Sequence, residues 1–228
     1  MTYIKLAITL FPILAFGETR TPLISTFSIV ARDSKTGELG VAVQSKFVAV
    51  GSVVPYAKAG IGAIASQAWG NPRYGPIGLE LLASGKSALE AVDLMTSADP
   101  HRNSRQLAII GIEGNASVFT GSECLEWAGG KQGDHYAVQG NILTGPKVTE
   151  AMGKAFEDTN GTLAERMIAS LHAGQKAGGD KRGRQSAALL VVREGWGYGG
   201  LTDRFRDLRV DDHPSPIEEL ERIYFIHR

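Results

Sequence analysis

Alternating apolar and polar positions, rich in β-branched residues, mark the strands of this chain. The pattern predicts a hairpin of two strands at residues 26–33 and 39–44, with a turn at 34–37. Further segments carry the same signal, and they lie at 50–56, 60–67, 106–112, 116–120, 136–139, 185–192 and, as an edge strand, 204–210. The segment 185–192 is the most hydrophobic of these, which is typical of a buried strand.

Apolar residues at helical spacing predict five helices, which begin near residues 76, 88, 146, 163 and 216. A capping box, in which Ser or Thr is followed three residues later by Glu, opens the second helix at Ser87 and the fourth at Thr162. The fourth helix is expected to stop at Gly174, before a polar loop at 175–184. Residues expected to face the core from the second and last helices are Leu89, Val92, Met95, Ile217, Leu220 and Tyr224.

The order of these elements is strands, two helices, strands, two helices and strands. Runs of strands separated by helix pairs indicate an α+β domain of antiparallel sheets with helices on their outer faces. We assign this domain to residues 26–200. Residues 201–228 are expected to form a C-terminal tail with an edge strand and a helix.

The N-terminal 25 residues are typical of an export signal. Lys5 precedes an apolar run at 6–16, which is far shorter than the ~20 residues of a membrane helix. The small residues Ala15 and Gly17 bracket a cleavage position. We therefore predict a signal peptide and a short pro-segment at 1–25, export to the periplasm or the exterior, and no stable membrane span afterwards. An N-terminal membrane anchor is the alternative.

Composition narrows the classes of function. The 24 basic and 24 acidic side chains give zero net charge, and the absence of a basic block argues against nucleic-acid binding. The single Cys124 excludes an intrachain disulfide and a thiolate zinc cluster. The sequence indicates neither a metal nor an organic cofactor. A homo-oligomer is left open.

Three polar clusters lie at the ends of predicted strands. They are Gln44-Ser45-Lys46, Gln139-Gly140-Asn141 and the segment 178–186. Glycine and polar residues at such places are common in turns, so each cluster has a structural interpretation. Strand ends in a layered fold are also where binding sites form, so a functional interpretation stands beside it.

Several motifs together resemble one family. The segments 26–33, 40–46, 59–68, 139–141 and 179–187 are similar to the bacterial domain of unknown function 1028, which is assigned to the N-terminal-nucleophile hydrolase superfamily. The segment 208–214 resembles the C-terminal extension of that family. The resemblance implies a four-layer αββα sandwich and a hydrolase of amide bonds in a small or peptide-like substrate.

The resemblance also implies catalytic roles. Enzymes of that superfamily use the side chain of their first residue as nucleophile and its α-amine, with a pKa of ~7.7–8.0, as base. Thr26 is the candidate nucleophile because it opens the first strand. Lys58, 32 positions further on, corresponds to the lysine of proteasome-type relatives, and Lys46 is the rival cation.

Further residues would complete the site by the same resemblance. Backbone N–H groups near Gln67 and Ala68 would form an oxyanion hole, with help from the side chain of Asn141. Arg182 would suit an anionic or carboxylate-bearing substrate. The residues expected to bind substrate are Ser45, Gln67, Ala68, Asp180, Arg182, Gln185 and Ser186.

Thr26 is not the first residue of the translated chain. None of the methionines, at 1, 95, 152 and 167, precedes it directly, so processing at the Ser25–Thr26 bond is required to free its amine. An uncleaved chain would lack the base. The alternative function is therefore a non-catalytic, exported module that binds a ligand or the cell wall on the same fold.

Overall fold

The computed structural model describes residues 26–227, which fold into two antiparallel sheets and five α-helices. The ten strands of these residues are β1 (Thr26–Arg32), β2 (Leu39–Ser45), β3 (Pro55–Lys58), β4 (Gly62–Ala68), β5 (Arg105–Gly111), β6 (Ala116–Thr120), β7 (Gly129–Gly133), β8 (Tyr136–Asn141), β9 (Ser186–Val192) and β10 (Arg204–Val210). The helices are α1 (Tyr74–Ala83), α2 (Ala88–Ser97), α3 (Lys147–Asp158), α4 (Leu163–Lys176) and α5 (Pro216–His227).

The larger sheet has six strands in the order β10-β9-β2-β1-β8-β7, and the smaller has four in the order β3-β4-β5-β6. Strand β1 lies in the middle of the larger sheet. At its start, Thr26 is paired in register with Ser45 of β2 on one side and with Asn141 of β8 on the other. The topology therefore brings the ends of three strands together.

Alternation along the strands decides which core each side chain joins. In β1, Phe27 and Ile29 pack with residues of α3, α4 and α5, whereas Val30 packs with residues of the four-stranded sheet. In β4, Ile64 points away from the larger sheet and packs with α1 and α2. The predicted α+β class, with two antiparallel sheets and five helices in the described chain, is confirmed.

Both predicted capping boxes are present. The Glu90 N–H donates to Oγ of Ser87, and the Ser87 N–H donates to a carboxylate oxygen of Glu90. Thr162 and Glu165 make the same reciprocal pair at the start of α4. These bonds satisfy amides that the first helical turn leaves without partners, so the sequence signal has a direct structural cause.

The strand predicted at 50–56 is wrong in its first half. Residues Val50–Ser52 form a 3₁₀ turn, and the strand β3 begins only at Pro55. The cause is local hydrogen bonding, since the Val50 N–H donates to the hydroxyl of Ser186 and the N–H groups of Val53 and Val54 donate to the Val50 carbonyl. These amides are then not available to a neighbouring strand.

Two helix predictions also need correction. Leu89, expected in the core, is 61% exposed, and Ala88 and Ala91 occupy the buried face of α2 with Val92 and Met95. Helix α4 continues to Lys176, two residues beyond the expected stop. Gly174 lies inside the helix where α4 packs against α3, and a side chain there would overlap Met152.

The C-terminal segment shares the core of the six-stranded sheet. Strand β10 pairs with β9, and Leu208 and Val210 join the same hydrophobic cluster as Ile217 and Tyr224 of α5. The predicted signal peptide and pro-segment at 1–25 lie outside the described residues. No helix within residues 26–227 has the length and apolar character needed to cross a membrane.

Candidate functional site

Thr26 lies buried at the end of the central strand of the larger sheet. Its hydroxyl Oγ1 donates to Oγ of Ser45, 3.1 Å away. The side chains of Thr26 and Ser28 point toward the smaller sheet, because Phe27 between them packs with the helices on the other face. The nucleophile candidate therefore faces the space between the two sheets.

Two glutamines of the smaller sheet reach Thr26 and its neighbours. Nε2 of Gln67 donates to the main-chain carbonyl of Thr26 at 3.2 Å and to Oε1 of Gln106 at 2.8 Å. Nδ2 of Asn141 donates to the same Gln106 oxygen at 3.1 Å. Oε1 of Gln67 accepts from the hydroxyl of Ser28 at 2.6 Å. All five residues are buried, so the bonds hold their orientations against little competition from water.

Two residues with left-handed backbone lie just beyond this network, at the ends of β4 and β8. Ala68, at the end of β4, has φ of 64°, and Ile142, after β8, has φ of 53°. A positive φ is uncommon outside glycine and is a genuine outlier for a β-branched residue. The Ile142 N–H donates to the carbonyl of Leu125 at 3.0 Å, which helps to fix this conformation. Backbone of this kind clusters at functional sites.

A small cleft opens between these two residues. Its lining residues are Ala68, Trp69, Ser104, Glu123, Cys124, Leu125, Asn141 and Ile142. Burial raises the pKa of the Cys124 thiol, so this side chain is protonated and a poor nucleophile near neutral pH. Trp69 and Leu125 are 40% and 47% exposed and give the cleft an apolar rim.

Asp180 connects its own loop to the end of β2 near the site. One carboxylate oxygen accepts from the Lys46 N–H at 3.0 Å, and the other accepts from the Arg182 N–H at 2.8 Å. The Arg182 guanidinium also pairs with this buried carboxylate, at 3.3 Å. The side chain of Lys46 is exposed, and its Nζ lies 3.5 Å from the carbonyl of Arg184. In this arrangement Asp180 and Arg182 compensate each other's charge.

Ser186 and Gln185 have partners away from Thr26. Ser186 is paired in register with Ser45, two strands from Thr26, a distance of roughly 10 Å. Its hydroxyl donates to the Phe47 carbonyl and accepts from the N–H of Val50. Nε2 of Gln185 donates to Asp212 at 3.2 Å. Both side chains therefore hold neighbouring loops in place.

Lys58 is not brought to the site. It is exposed at the end of β3 and pairs in register with Gly62, whereas Thr26 contacts Gln67 at the other end of β4. Five residues of strand separate Gly62 from Gln67, which is roughly 17 Å. The expectation that the 32-residue spacing would place Lys58 beside Thr26 is corrected by this geometry, because Lys58 lies at the opposite end of the strands of the smaller sheet.

Gln106 was not predicted as a site residue from the sequence, and Gln139 was named only as part of a polar cluster. Nε2 of Gln106 donates to the Gly140 carbonyl at 2.8 Å, and Nε2 of Gln139 donates to the Ala65 carbonyl at 3.0 Å. Each bond crosses from one sheet to the other. A signal was available, because Gln106 and Gln139 are polar residues directly beside the apolar runs 107–110 and 136–138.

Within residues 26–227, no group of three His, Cys, Asp or Glu side chains is placed to hold a metal ion. The polar side chains that surround Thr26 are Ser45, Gln67, Gln106 and Asn141, and all are uncharged. The described side-chain contacts of Thr26 are therefore made with a hydroxyl group, that of Ser45, and an amide group, that of Gln67.

The sequence model of a protein family, described as a family of unknown function (DUF1028), matches residues 26–220. The chain belongs to the DUF1028 family. The crystal structure of a DUF1028 protein from Silicibacter pomeroyi is similar to it, with 35% sequence identity and a TM-score of 0.82. The match covers 89% of this chain and 85% of that one. No curated protein matches the sequence. The resemblance of the motifs to DUF1028 is thus confirmed, and the matched region begins at Thr26.

Proposed function

We propose that this DUF1028 protein is an N-terminal-nucleophile hydrolase with a four-layer αββα sandwich, and that Thr26 attacks an amide bond of a small or peptide-like substrate after processing. The placement of Thr26 carries the proposal. Its hydroxyl opens the central strand, faces the space between the sheets and is oriented by Ser45 at 3.1 Å. The layering is supported by helices α1 and α2 on the smaller sheet and α3, α4 and α5 on the larger.

The side chains in contact with Thr26 leave the role of base to another group. Ser45, Gln67 and Asn141 cannot accept a proton near neutral pH. Cleavage of the Ser25–Thr26 peptide bond would free an α-amine on Thr26 itself, with a reference pKa of ~7.7–8.0. This amine takes the hydroxyl proton as Oγ1 attacks the substrate carbonyl carbon, and then gives the proton to the departing amine. Water hydrolyses the resulting ester and restores the free hydroxyl.

The developing oxyanion needs hydrogen-bond donors that are already oriented. Asn141 lies in the strand next to Thr26, and its Nδ2 is held by a hydrogen bond to Gln106. Ala68 and Ile142, both with left-handed backbone, line the same cleft as Asn141. We assign the stabilising role to Asn141 and to backbone near Ala68.

The rim of the cleft supports an apolar substrate group. Trp69 and Leu125 are both partly exposed there. The charge of Arg182 is compensated by Asp180, so a carboxylate of the substrate would be recognised more weakly than an unpaired arginine would allow. We propose an amide with an apolar acyl or side-chain group, in a protein exported by the segment 1–25.

A second function follows if the peptide bond between Ser25 and Thr26 stays intact. The translated chain carries Ser25 ahead of Thr26, and an intact peptide bond there removes the base that the mechanism requires. In that state the protein would act as an exported binding module for a small ligand or the cell wall, without catalysis, and the cleft beside Thr26 would hold the ligand.

The deciding experiment is the intact mass and N-terminal sequence of the full-length protein after expression with export. The hydrolase predicts a chain that starts at Thr26 and turns over members of a panel of acyl p-nitroanilides. Thr26→Ala should abolish turnover, whereas Thr26→Ser should retain part of it because the hydroxyl and amine are kept. Gln132→Ala, on the exposed edge strand β7, is a matched control that should retain full activity.

A mature N-terminus ahead of Thr26 would reject the hydrolase. The binding module would then remain, and Thr26→Ala should leave ligand affinity largely unchanged. A protein that is processed to Thr26 but whose turnover survives Thr26→Ala would overturn the assignment of Thr26 as nucleophile.

A further inference from the structure

A cavity of about 430 Å³ lies between α1 and α2, on the face of the smaller sheet that points away from Thr26. This volume is in the range of about 300–1,000 Å³ that is usual for small-molecule sites. Most of the lining is apolar, and it is formed by Ile77, Leu81, Leu94, Met95, Ala98 and Pro100. Ile77 and Leu94 are 43% and 49% exposed at its edges. The cavity therefore offers solvent-accessible apolar surface to a ligand.

One end of the cavity is polar, but its carboxylate oxygens already accept hydrogen bonds from the protein. One oxygen of Asp99 accepts from Asn71 at 3.1 Å, from the Tyr74 hydroxyl at 2.9 Å and from Nε of Arg105 at 3.0 Å. The other accepts from the His101 N–H at 2.8 Å. The Arg105 guanidinium lies behind Asp99 and balances its charge. A cationic ligand would thus find no free acceptor on this carboxylate.

Arg73 is the uncompensated charge of the lining. Its side chain is exposed at the cavity and has no hydrogen-bond or ion-pair partner among residues 26–227. It precedes the first residue of α1, where the helix dipole opposes a positive charge. A guanidinium in this place does not stabilise the helix, but it would pair well with an anion held at the mouth of the cavity.

We propose that this cavity binds a small amphipathic carboxylate, with the anionic group on Arg73 and an unbranched apolar chain against Ile77, Leu94 and Met95. The charge of the lining selects an anion, because Asp99 is neutralised and Arg73 is not. The apolar walls select the chain. Since the side chain of Gln67 faces the opposite side of β4, this site is separate from the one around Thr26.

Three matched eight-carbon probes test the proposal: octanoate, octan-1-ol and octylammonium. The full-length protein is labelled with ¹³C at the methionine methyl groups. Met95 lines the cavity, whereas Met152 and Met167 lie in the core beneath the larger sheet and report any general effect of the probe. Octanoate should shift the Met95 signal saturably and leave Met152 and Met167 unmoved. Octan-1-ol should bind more weakly, and octylammonium the least.

Two variants separate the charge from the apolar walls. Arg73→Gln should lower the affinity for octanoate roughly tenfold or more and leave that for octan-1-ol unchanged. Leu94→Asp should weaken both probes. Arg102→Gln, at another exposed arginine outside the lining, is the matched control and should change neither affinity. The Met152 and Met167 signals show whether each variant is folded.

Equal binding of octanoate and octylammonium would overturn the proposal, as would an octanoate affinity insensitive to Arg73→Gln. An unmoved Met95 signal with every probe would also reject it. If sedimentation then showed a dimer that Leu94→Asp dissociates, the occupant of this face would be a second copy of the chain and not a small molecule.

Discussion

Gln67 and Gln106, on neighbouring strands of the smaller sheet, share a hydrogen bond of 2.8 Å directly beneath Thr26. Gln106 also donates to the carbonyl of Gly140 in the larger sheet, and Gln67 donates to that of Thr26. The pair therefore connects the two sheets at the end of the molecule where Thr26 lies. It fixes the candidate nucleophile through its backbone and Asn141 through its side-chain amide.

Replacing Gln106 with leucine should be costly. Gln106→Leu keeps the size of the side chain but leaves the amides of Gln67 and Asn141 and the carbonyl of Gly140 with fewer partners in a buried place. We expect the free energy of unfolding to fall by about 3 kcal/mol, since each unsatisfied buried group costs about 1–3 kcal/mol. Urea denaturation followed by circular dichroism measures it.

The control for this experiment is Gln132→Leu. Gln132 lies exposed on the edge strand β7, so the same chemical change should alter stability by no more than about 0.5 kcal/mol. Equal losses in the two variants would show that the network beneath Thr26 contributes nothing specific.

Asp99 makes the stability of the protein depend on acid pH. Burial alone would raise its pKa, but hydrogen bonds from Arg105, His101 N–H, Tyr74 and Asn71 outweigh that effect and hold the pKa well below its usual range. A carboxyl with a lower pKa in the folded state binds more protons when unfolded. Its stabilisation is therefore complete above the unfolded pKa of about 3.9 and is lost as the pH falls below it.

Asp99→Asn tests this pH dependence. It should remove part of the fall in stability between about pH 4 and pH 2, and cost about 3 kcal/mol at pH 7 because Arg105 keeps a buried charge without its partner. Asp93→Asn, at an exposed position on α2, should do neither. Urea midpoints at several pH values decide it, and an unchanged acid profile in Asp99→Asn would contradict the role of this carboxylate.

Much of the fold could be predicted because the strands are buried and regular. Strands β1, β2 and β9 are buried on both faces, and the largely apolar runs that mark them are the pattern that such packing requires. Strand β7 was missed because its sequence, Gly-Gly-Lys-Gln-Gly, has no apolar side chain, and it exists through its backbone pairing with β8. Leu89 was misplaced because helical spacing fits more than one face, and the small Ala88 and Ala91 allow closer packing.

The candidate site was predictable only where register follows from a hairpin. Thr26 and Ser45 lie opposite each other because the 34–37 turn fixes the pairing of β1 with β2. Contacts between the two sheets, such as that of Gln106 with Asn141, depend on how the sheets stack. The pattern of apolar and polar residues along a strand does not predict this stacking. The same limit explains Lys58, whose distance from Thr26 along the chain does not define its place on the smaller sheet.

The two capping boxes should differ in their contribution to stability. Ser87 and Thr162 make the same reciprocal bonds with Glu90 and Glu165, but Oγ1 of Thr162 also lies 3.0 Å from the hydroxyl of Tyr224 in α5. Ser87→Ala should cost about 1 kcal/mol, the usual value of a cap. Thr162→Ala should cost about 1 kcal/mol more because it also removes a contact between two helices.

Thermal denaturation of the two alanine variants and of Thr162→Ser measures this difference. Thr162→Ser keeps the hydroxyl and should recover most of the lost stability. If Thr162→Ala is no more destabilising than Ser87→Ala, the contact with Tyr224 does not stabilise the docking of α5.

Gly75 sets how closely α1 approaches the smaller sheet and therefore the position of one wall of the cavity. A Cβ at this residue would overlap the ring of Tyr56 in β3, and no backbone angle at Gly75 demands glycine. Alanine is otherwise the better helix former by about 1 kcal/mol, so its intrinsic effect in α1 would be stabilising. We expect the overlap to dominate, and Gly75→Ala to lower the free energy of unfolding by about 1–3 kcal/mol.

Gly145→Ala is the matched control, since a Cβ there meets nothing within 4 Å and the backbone is not left-handed. Its effect should stay within about 0.5 kcal/mol of zero. The double variant Gly75→Ala with Tyr56→Leu tests whether the overlap is the cause. It removes the ring and should recover part of the lost stability. A stabilised Gly75→Ala protein would mean that α1 can move outward freely, and the wall formed by Ile77 would then not be fixed by the glycine.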